Sequence, residues 1–389
     1  MDFEFTKEEK ALQEEVREFI SKESTPEMLK ETAEQGLGDV YGAPEGRKII
    51  RKMAAKGWLA PTWPREYGGL EASEIVAYMI NEEMGYHGLP FSFVAAHMAG
   101  PAILRFGSDE MKKKWLPRIA SGELEFALGY TEPQAGSDLS ALNLRAEDKG
   151  DYFLLNGTKL FNTACHVADY HWLACRTNFD GPRHKGVSIM IVDLKSPGIT
   201  ISPLITMSDW RTNEVFYEDV RVPKENLVGE KNKGFYYLMT ALDFERMLNL
   251  GRYRRVFDEL VAYTKETAVG GEPLSKNPLI RQKLAQLSTE IEVVRLLYYQ
   301  LAYIMEKGGI PNYQSSMEKT FTAECAQRIT NVGMDILGLY GQLKEGSKWV
   351  QLKGKMEKLY RNSIVLTIYG GTSEIQRNII AMRGLGLPV

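Results

Sequence analysis

The chain has 389 residues, 44% hydrophobic and 25% charged, with a net charge of −3, an ordinary globular composition long enough for two or three domains. Slight acidity excludes a general attraction to nucleic acid. No uncharged apolar run reaches the ~18 residues of a spanning helix. The three cysteines, Cys165, Cys175 and Cys325, show no paired spacing, which argues for a reducing compartment and against a disulfide framework or zinc site. The acidic start Met1-Asp2-Phe3-Glu4-Phe5 lacks the apolar stretch of a signal peptide, so a cytoplasmic protein is expected.

In chain order, Thr6 with Glu9 makes a capping box, and Leu12, Val16, Phe19 and Ile20 follow at helical spacing. Further helices are expected over Ile49–Ala55, Ala72–Met84, Phe91–Phe106 and Asp109–Ala120, so residues 1–120 form an all-helical domain. Near residue 121 the period changes from about 3.6 to about 2. Strands are expected at Phe126–Gly129, Leu142–Ala146, Tyr152–Leu155, Trp172–Arg176, Val187–Asp193, Ile199–Pro203 and Glu214–Val222. Asp148-Lys149-Gly150-Asp151 and Asn156-Gly157 read as hairpin turns. Crossovers long enough for helices are missing, so residues 121–232 predict an antiparallel, closed or rolled barrel. Helical periodicity returns over 233–389 in four long segments, Phe235–Thr267, Pro278–Glu306, Ser316–Leu339 and Met356–Met382, which suggest a four-helix bundle. The fold class is α+β.

Four stretches carry candidate chemistry. The loop Tyr130-Thr131-Glu132-Pro133-Gln134-Ala135-Gly136-Ser137-Asp138 offers hydroxyls and main-chain N–H groups that could bind a polar ring or a pyrophosphate; an ordinary polar turn gives the same pattern. Phe91, Phe93, Val94, His97 and Met98 make an apolar helix with one histidine, which suits a core helix or the wall of an acyl pocket. On the helix over residues 242–249, Leu242, Glu245, Arg246 and Asn249 share one face. Desolvation by Met239, Phe244 and Met247 would raise a carboxylate pKa and suit it to general-base work; an exposed Asp243–Arg246 ion pair with Glu245 in solvent also fits. Thr372 or Ser373 would cap a final helix, whose N-terminus can also meet an anion.

Three ordered motifs then resemble the acyl-CoA dehydrogenase family across essentially the whole chain: YTEPQAGSD from Tyr130, Gly157-Thr158-Lys159-Leu160-Phe161-Asn162-Thr163, and TIYGGTSEIQRNIIA from Thr367 to Ala381. The resemblance implies FAD, held by Leu128, Tyr130, Thr131, Gly136, Ser137, Phe161, Thr163, Thr372 and Glu374. Phe161 stands where the family usually has tryptophan, and Thr163 addresses the flavin N5 edge. Most members place their catalytic glutamate just before the glycine of a late Tyr-Glu-Gly-Thr motif; here that motif reads Tyr369-Gly370-Gly371-Thr372. A minority, resembling isovaleryl-CoA and long-chain enzymes, carry the base on the earlier helix, at the position of Glu245. The resemblance thus implies an acyl-CoA desaturase in which Glu245 takes the α-proton, the β-hydride passes to flavin N5, and the Gly370 N–H holds the thioester oxygen. Asp243 and Arg246 would contact the coenzyme A moiety, and Ser137, Phe93 and His97 the substrate. An electron-transferring flavoprotein would accept the electrons, and a homotetramer is expected. The family's intersubunit flavin contacts fall on Thr267, Gly270 and Asp335, which lack the usual side chains. A heterotetramer with a paralogous chain, or help from Lys265 or Arg281, is the alternative. Same-fold flavin monooxygenases, desulfinase-like enzymes and a non-catalytic assembly subunit remain open.

Overall fold

Helices α1 (Lys7–Glu23), α2 (Pro26–Gln35), α3 (Pro44–Ala55), α4 (Glu74–His87), α5 (Gly100–Phe106) and α6 (Asp109–Ala120) precede the first strand. The structure, a computed structural model, describes residues 5–35, 43–89, 94–245 and 251–388. The capping box forms as expected: Thr6 N–H donates to Glu9 Oε2 at 2.7 Å and Glu9 N–H to Thr6 Oγ1 at 3.2 Å. Asp109–Ala120 starts on a Ser108 cap whose side chain accepts from Met111 N–H. Between α4 and α5 lies a π-helical turn, Ala95–Ala99, where one continuous helix was expected; Phe91 and Phe93 lie outside the described residues.

The strands are β1 (Phe126–Gly129), β2 (Arg145–Asp148), β3 (Tyr152–Lys159), β4 (Tyr170–Arg176), β5 (Val187–Asp193), β6 (Ile199–Ile205), β7 (Arg211–Pro223) and β8 (Leu227–Val228). They make one eight-stranded sheet in the order β6-β7-β3-β2-β4-β5-β8, with β1 beside β4. Most pairs are antiparallel as expected, including β2–β3, β3–β7, β4–β5 and β6–β7. Two are not: β1 runs parallel to β4, and β2 meets β4 in a parallel pairing at Arg145 and Arg176. The β2–β3 excursion supplies the long crossover that a parallel pair needs. Among the described strands the path runs from β6 to β8 and does not close. Asn156-Gly157 is not a hairpin turn but the bulge inside β3, where the register against β7 shifts. Gly157 sits at φ +146°, and a Cβ there would lie 2.9 Å from Leu144 Cα, which is why glycine occupies the bulge.

The chain divides into two units: residues 18–77 with 89–245, and residues 1–17 with 78–88 and 246–389. In the first, the sheet unit, β4 and β5 are buried on both faces and so read as continuous apolar runs. Phe153, Leu155, Leu173, Val215 and Val220 form one core. Trp172, Ile189 and Ile191 form a second with α6 and with α7 (Gly234–Glu245). In the second, the helical unit, α8 (Gly251–Glu266), α9 (Pro278–Glu306), α10 (Tyr313–Leu337), α11 (Lys355–Leu366) and α12 (Ser373–Ile379) follow. Leu260, Ile291, Ile329, Met356 and Leu359 lie at their core. Gly333 lets α11 approach, since a Cβ there would meet Met356 Sδ. All three cysteines are free and buried, and no helix among the described residues is long and apolar enough to cross a membrane.

Candidate active site

The loop after β1 is built around one buried carboxylate. Glu132 and Ala135 exchange N–H···O bonds of 3.0 Å in both directions, closing a tight turn with Pro133 and Gln134 exposed at its tip. Inside, Glu132 Oε1 accepts from Lys159 Nζ at 2.8 Å and from Leu144 N–H at 2.8 Å. Glu132 Oε2 accepts from Asn143 N–H at 2.6 Å and from Gln134 Nε2 at 2.7 Å. Lys159 Nζ also donates to Tyr130 O at 3.0 Å. Burial pushes the Lys159 ammonium down from the ordinary lysine pKa, and Glu132 pulls it back up. Tyr130 is buried, its hydroxyl accepting from Trp172 Nε1 at 3.0 Å. Leu128 and Thr131 are half-buried, and Gly136 and Ser137 are exposed. Gly136 does not adopt the left-handed conformation, and a Cβ there would meet nothing within 4 Å. Among the described residues no contact demands glycine, and open space remains beside the loop. Its far end is fastened by Arg176, which donates to Ser140 O at 2.5 Å and Leu142 O at 2.7 Å.

The second stretch meets the first directly. Leu160 N–H donates to Thr131 O at 2.9 Å, so the turn to Phe161 begins at the loop. Phe161 and Thr163 are not strand residues, since β3 ends at Lys159. Phe161 is 57% exposed at φ +59°, a left-handed conformation costing an aromatic residue about 1–3 kcal/mol. It is held there by reciprocal bonds of 2.8 Å, Asn162 N–H to Asn213 O and Asn213 Nδ2 to Asn162 O. Asn162 Oδ1 is buried with no partner among the described residues. Thr163 is exposed, its Oγ1 3.4 Å from Thr212 Oγ1. An aromatic face displayed at such a cost, with hydroxyls beside it, suits a planar ring with a polar edge. The residues present therefore fit a flavin.

His97 lies in the π-helical turn, half-buried, beside fully buried Met98. Ala95 N–H donates to the buried Glu125 Oε1 at 3.1 Å. The apolar face of α7 packs on this turn through Leu238, Ala241 and Leu242, and Tyr237 stacks on Phe106 at 4.3 Å. Asp243 and Glu245 lie in α7, with their side chains outside the described ones; Arg246 lies outside the described residues.

Gly370, Thr372 and Glu374 belong to the helical unit. Gly370 and Gly371 both have positive φ, +63° and +89°. Their carbonyls are taken from within: Gln376 Nε2 donates to Gly370 O at 2.7 Å, and Lys319 Nζ to Gly371 O at 2.9 Å and Leu366 O at 3.0 Å. No main-chain acceptor among the described residues takes the Gly370 N–H. Thr372 caps α12, its hydroxyl accepting from Ile375 N–H at 3.3 Å. A hydrogen bond from its own N–H, then Thr372, hold the Glu374 carboxyl below the usual range. Lys319→Met would strip two carbonyls of a charged donor and is expected to destabilise the helical unit by about 3 kcal/mol. Thermal unfolding checks this; an unchanged melting curve would refute it. Sequence reasoning missed Glu132, Lys159, Asn213, Lys319 and Gln376.

Family models match all three parts of the chain: acyl-CoA dehydrogenase N-terminal domain over residues 6–123, middle domain over 127–220 and C-terminal domain over 232–385. The chain belongs to the acyl-CoA dehydrogenase family, whose members are flavoprotein oxidoreductases. Acyl-CoA dehydrogenase FadE26 of Mycobacterium tuberculosis is 35% identical, the match covering 100% of this chain and 99% of the relative. The caffeyl-CoA reductase-Etf complex subunit CarC of Acetobacterium woodii is 32% identical over 97% and 98%. Among solved structures, the ChsE4-ChsE5 complex from Mycobacterium tuberculosis superposes with a TM-score of 0.91, at 33% identity and 100% coverage of both chains.

Proposed function

We propose that the protein desaturates an acyl-CoA thioester between its α- and β-carbons, using FAD. The observation that carries this is the joined surface of the Tyr130–Ser137 loop and Phe161–Thr163, where an exposed aromatic ring is held in a costly conformation beside hydroxyls. FAD, when bound, supplies the acceptor for the β-hydride. The family resemblance assigns Leu128, Tyr130, Thr131, Gly136, Ser137, Phe161 and Thr163 to it, and likewise Thr372 and Glu374. Glu245 removes the α-proton. The Gly370 N–H, which no main-chain acceptor among the described residues takes, donates to the thioester oxygen where negative charge gathers. Asp243 and Arg246 are assigned to the coenzyme A moiety, and Ser137, Phe93 and His97 to the substrate. A base on the earlier helix is compatible with branched, cyclic or aromatic acyl groups. An electron-transferring flavoprotein is the proposed electron acceptor; the relative named as an Etf complex subunit supports it. Anaerobic mixing of the yellow protein with a panel of acyl-CoA thioesters should bleach the flavin with at least one class. A yellow protein that none of them bleaches would reject the reading.

A second arrangement has its own support. Asp335, at the position of a flavin-contacting residue in the family, is ion-paired with Lys283 at 2.6 Å. Thr267 and Gly270 flank and form the turn of a short two-stranded ribbon, Ala268–Val269 with Glu272–Pro273. These side chains leave little to offer a neighbouring subunit's flavin. The chain would then pair with a paralogue, and the similar ChsE4-ChsE5 complex, which joins two differently named proteins, supports such a pairing. A purified homotetramer with one FAD per chain would reject this arrangement.

A further inference from the structure

The structure carries one buried ion pair whose placement exceeds what packing requires. The Lys159 side chain is 0% exposed and that of Glu132 2%. Between them they hold four separate stretches: the end of β1 through Tyr130 O, the loop tip through Gln134, the approach to β2 through the Asn143 and Leu144 N–H groups, and the end of β3 through Lys159 itself. Lys159 stands two residues before Phe161, and the Leu160 N–H then bonds Thr131 O. Each of these bonds lies within the chain. We propose that Lys159 and Glu132 are a positioning pair that forms the flavin loop in advance and sets it against Phe161–Thr163. This rests on the flavin reading above.

The competing account is simple stability. Well-packed apolar residues of similar volume can replace a buried ion pair with little loss of stability, because the desolvation penalty of two charges disappears with their attraction. What they cannot reproduce is a fixed set of directions: one carboxylate here takes four donors and one ammonium two acceptors. Removal of the pair should therefore cost geometry as well as stability.

The test compares wild type with the double variant Lys159→Met/Glu132→Gln, reading thermal melting, FAD affinity by titration of the apoprotein, and the visible spectrum of the bound flavin. The expected result is a lowered melting temperature, because Tyr130 O loses its donor and an amide nitrogen cannot accept from the loop's N–H groups; with the variant still folded at the assay temperature, FAD binding is weakened about tenfold or more and the flavin band shifts toward that of free FAD. A folded double variant with unchanged affinity and spectrum would overturn the proposal. Amide hydrogen exchange in FAD-free wild type decides the matter if the double variant does not fold. Protected Asn143 and Leu144 amides support a loop formed in advance, whereas free exchange until FAD is added overturns it. Wild-type protein that takes up no FAD at all would instead reject the flavin reading itself.

Discussion

Glu245→Gln protein is expected to purify yellow and to reduce its flavin with acyl-CoA about a thousandfold more slowly than wild type. Glutamine keeps the size and a hydrogen-bonding oxygen of glutamate but cannot take a proton at neutral pH. The buried face of α7 is built from Leu238, Ala241 and Leu242, so the helix has its anchor without the carboxylate. Flavin content and melting should therefore stay near wild type while the proton-transfer step fails. Stopped-flow reduction under anaerobic single-turnover conditions measures the step. Exchange of the substrate α-proton into deuterated water gives an independent reading of the same base. Near wild-type reduction would remove Glu245 from the role. A loss of FAD along with turnover would leave the assignment without support.

The second large effect concerns acid. His171, in β4, is fully buried and bonded through Nδ1 to the Tyr217 hydroxyl. Burial pushes its pKa down to about 3, with the Leu128 backbone partly offsetting this. The unfolded chain takes up a proton on this imidazole near pH 6.5, while the folded chain refuses it until about pH 3. Stability should therefore be unaffected above neutrality and fall as pH drops through that window. The loss reaches about 4 kcal/mol at its acid end. Denaturant unfolding of wild type and of His171→Leu at several pH values isolates the contribution, because carboxylates common to both proteins cancel in the difference. Equal slopes of stability against pH in the two proteins would refute it.

The helices and strands with strong local signals were legible. Asp109–Ala120 has an N-cap and amphipathic spacing, and Val187–Asp193 is an apolar β-branched run; both fall where the pattern puts them. Local signals mislead where a residue has two common uses. Asn156-Gly157 has the composition of a hairpin turn, yet Gly157 serves a bulge whose need arises from Leu144, a residue on another stretch. The parallel β1–β4 pair is set by what lies between the two strands, and periodicity within each does not report it. The candidate site divides likewise. The loop and the Phe161–Thr163 stretch stand out by motif. Glu132 and Lys159 sit inside those same motifs, but charged residues are so seldom buried that composition argues for exposure. Their pairing across 27 positions becomes visible only when β3 is seen to end beneath the loop. Lys319 is more remote still, reaching Gly371 O across 52 positions from α10, whereas Gln376 lies six positions from Gly370, on the far side of the turn in α12.

The parallel partnership of β1 with β4 has a bearing on how the protein is made. Phe126–Gly129 leaves the ribosome with no strand to join until Tyr170–Leu173 has been synthesised, and β3 waits longer for β7. At ordinary translation speeds that delay is a few seconds. Throughout it, an apolar segment remains without its partner strand. Distant pairings of this kind slow folding, so the sheet unit is the part of the nascent chain with most to gain from a chaperone.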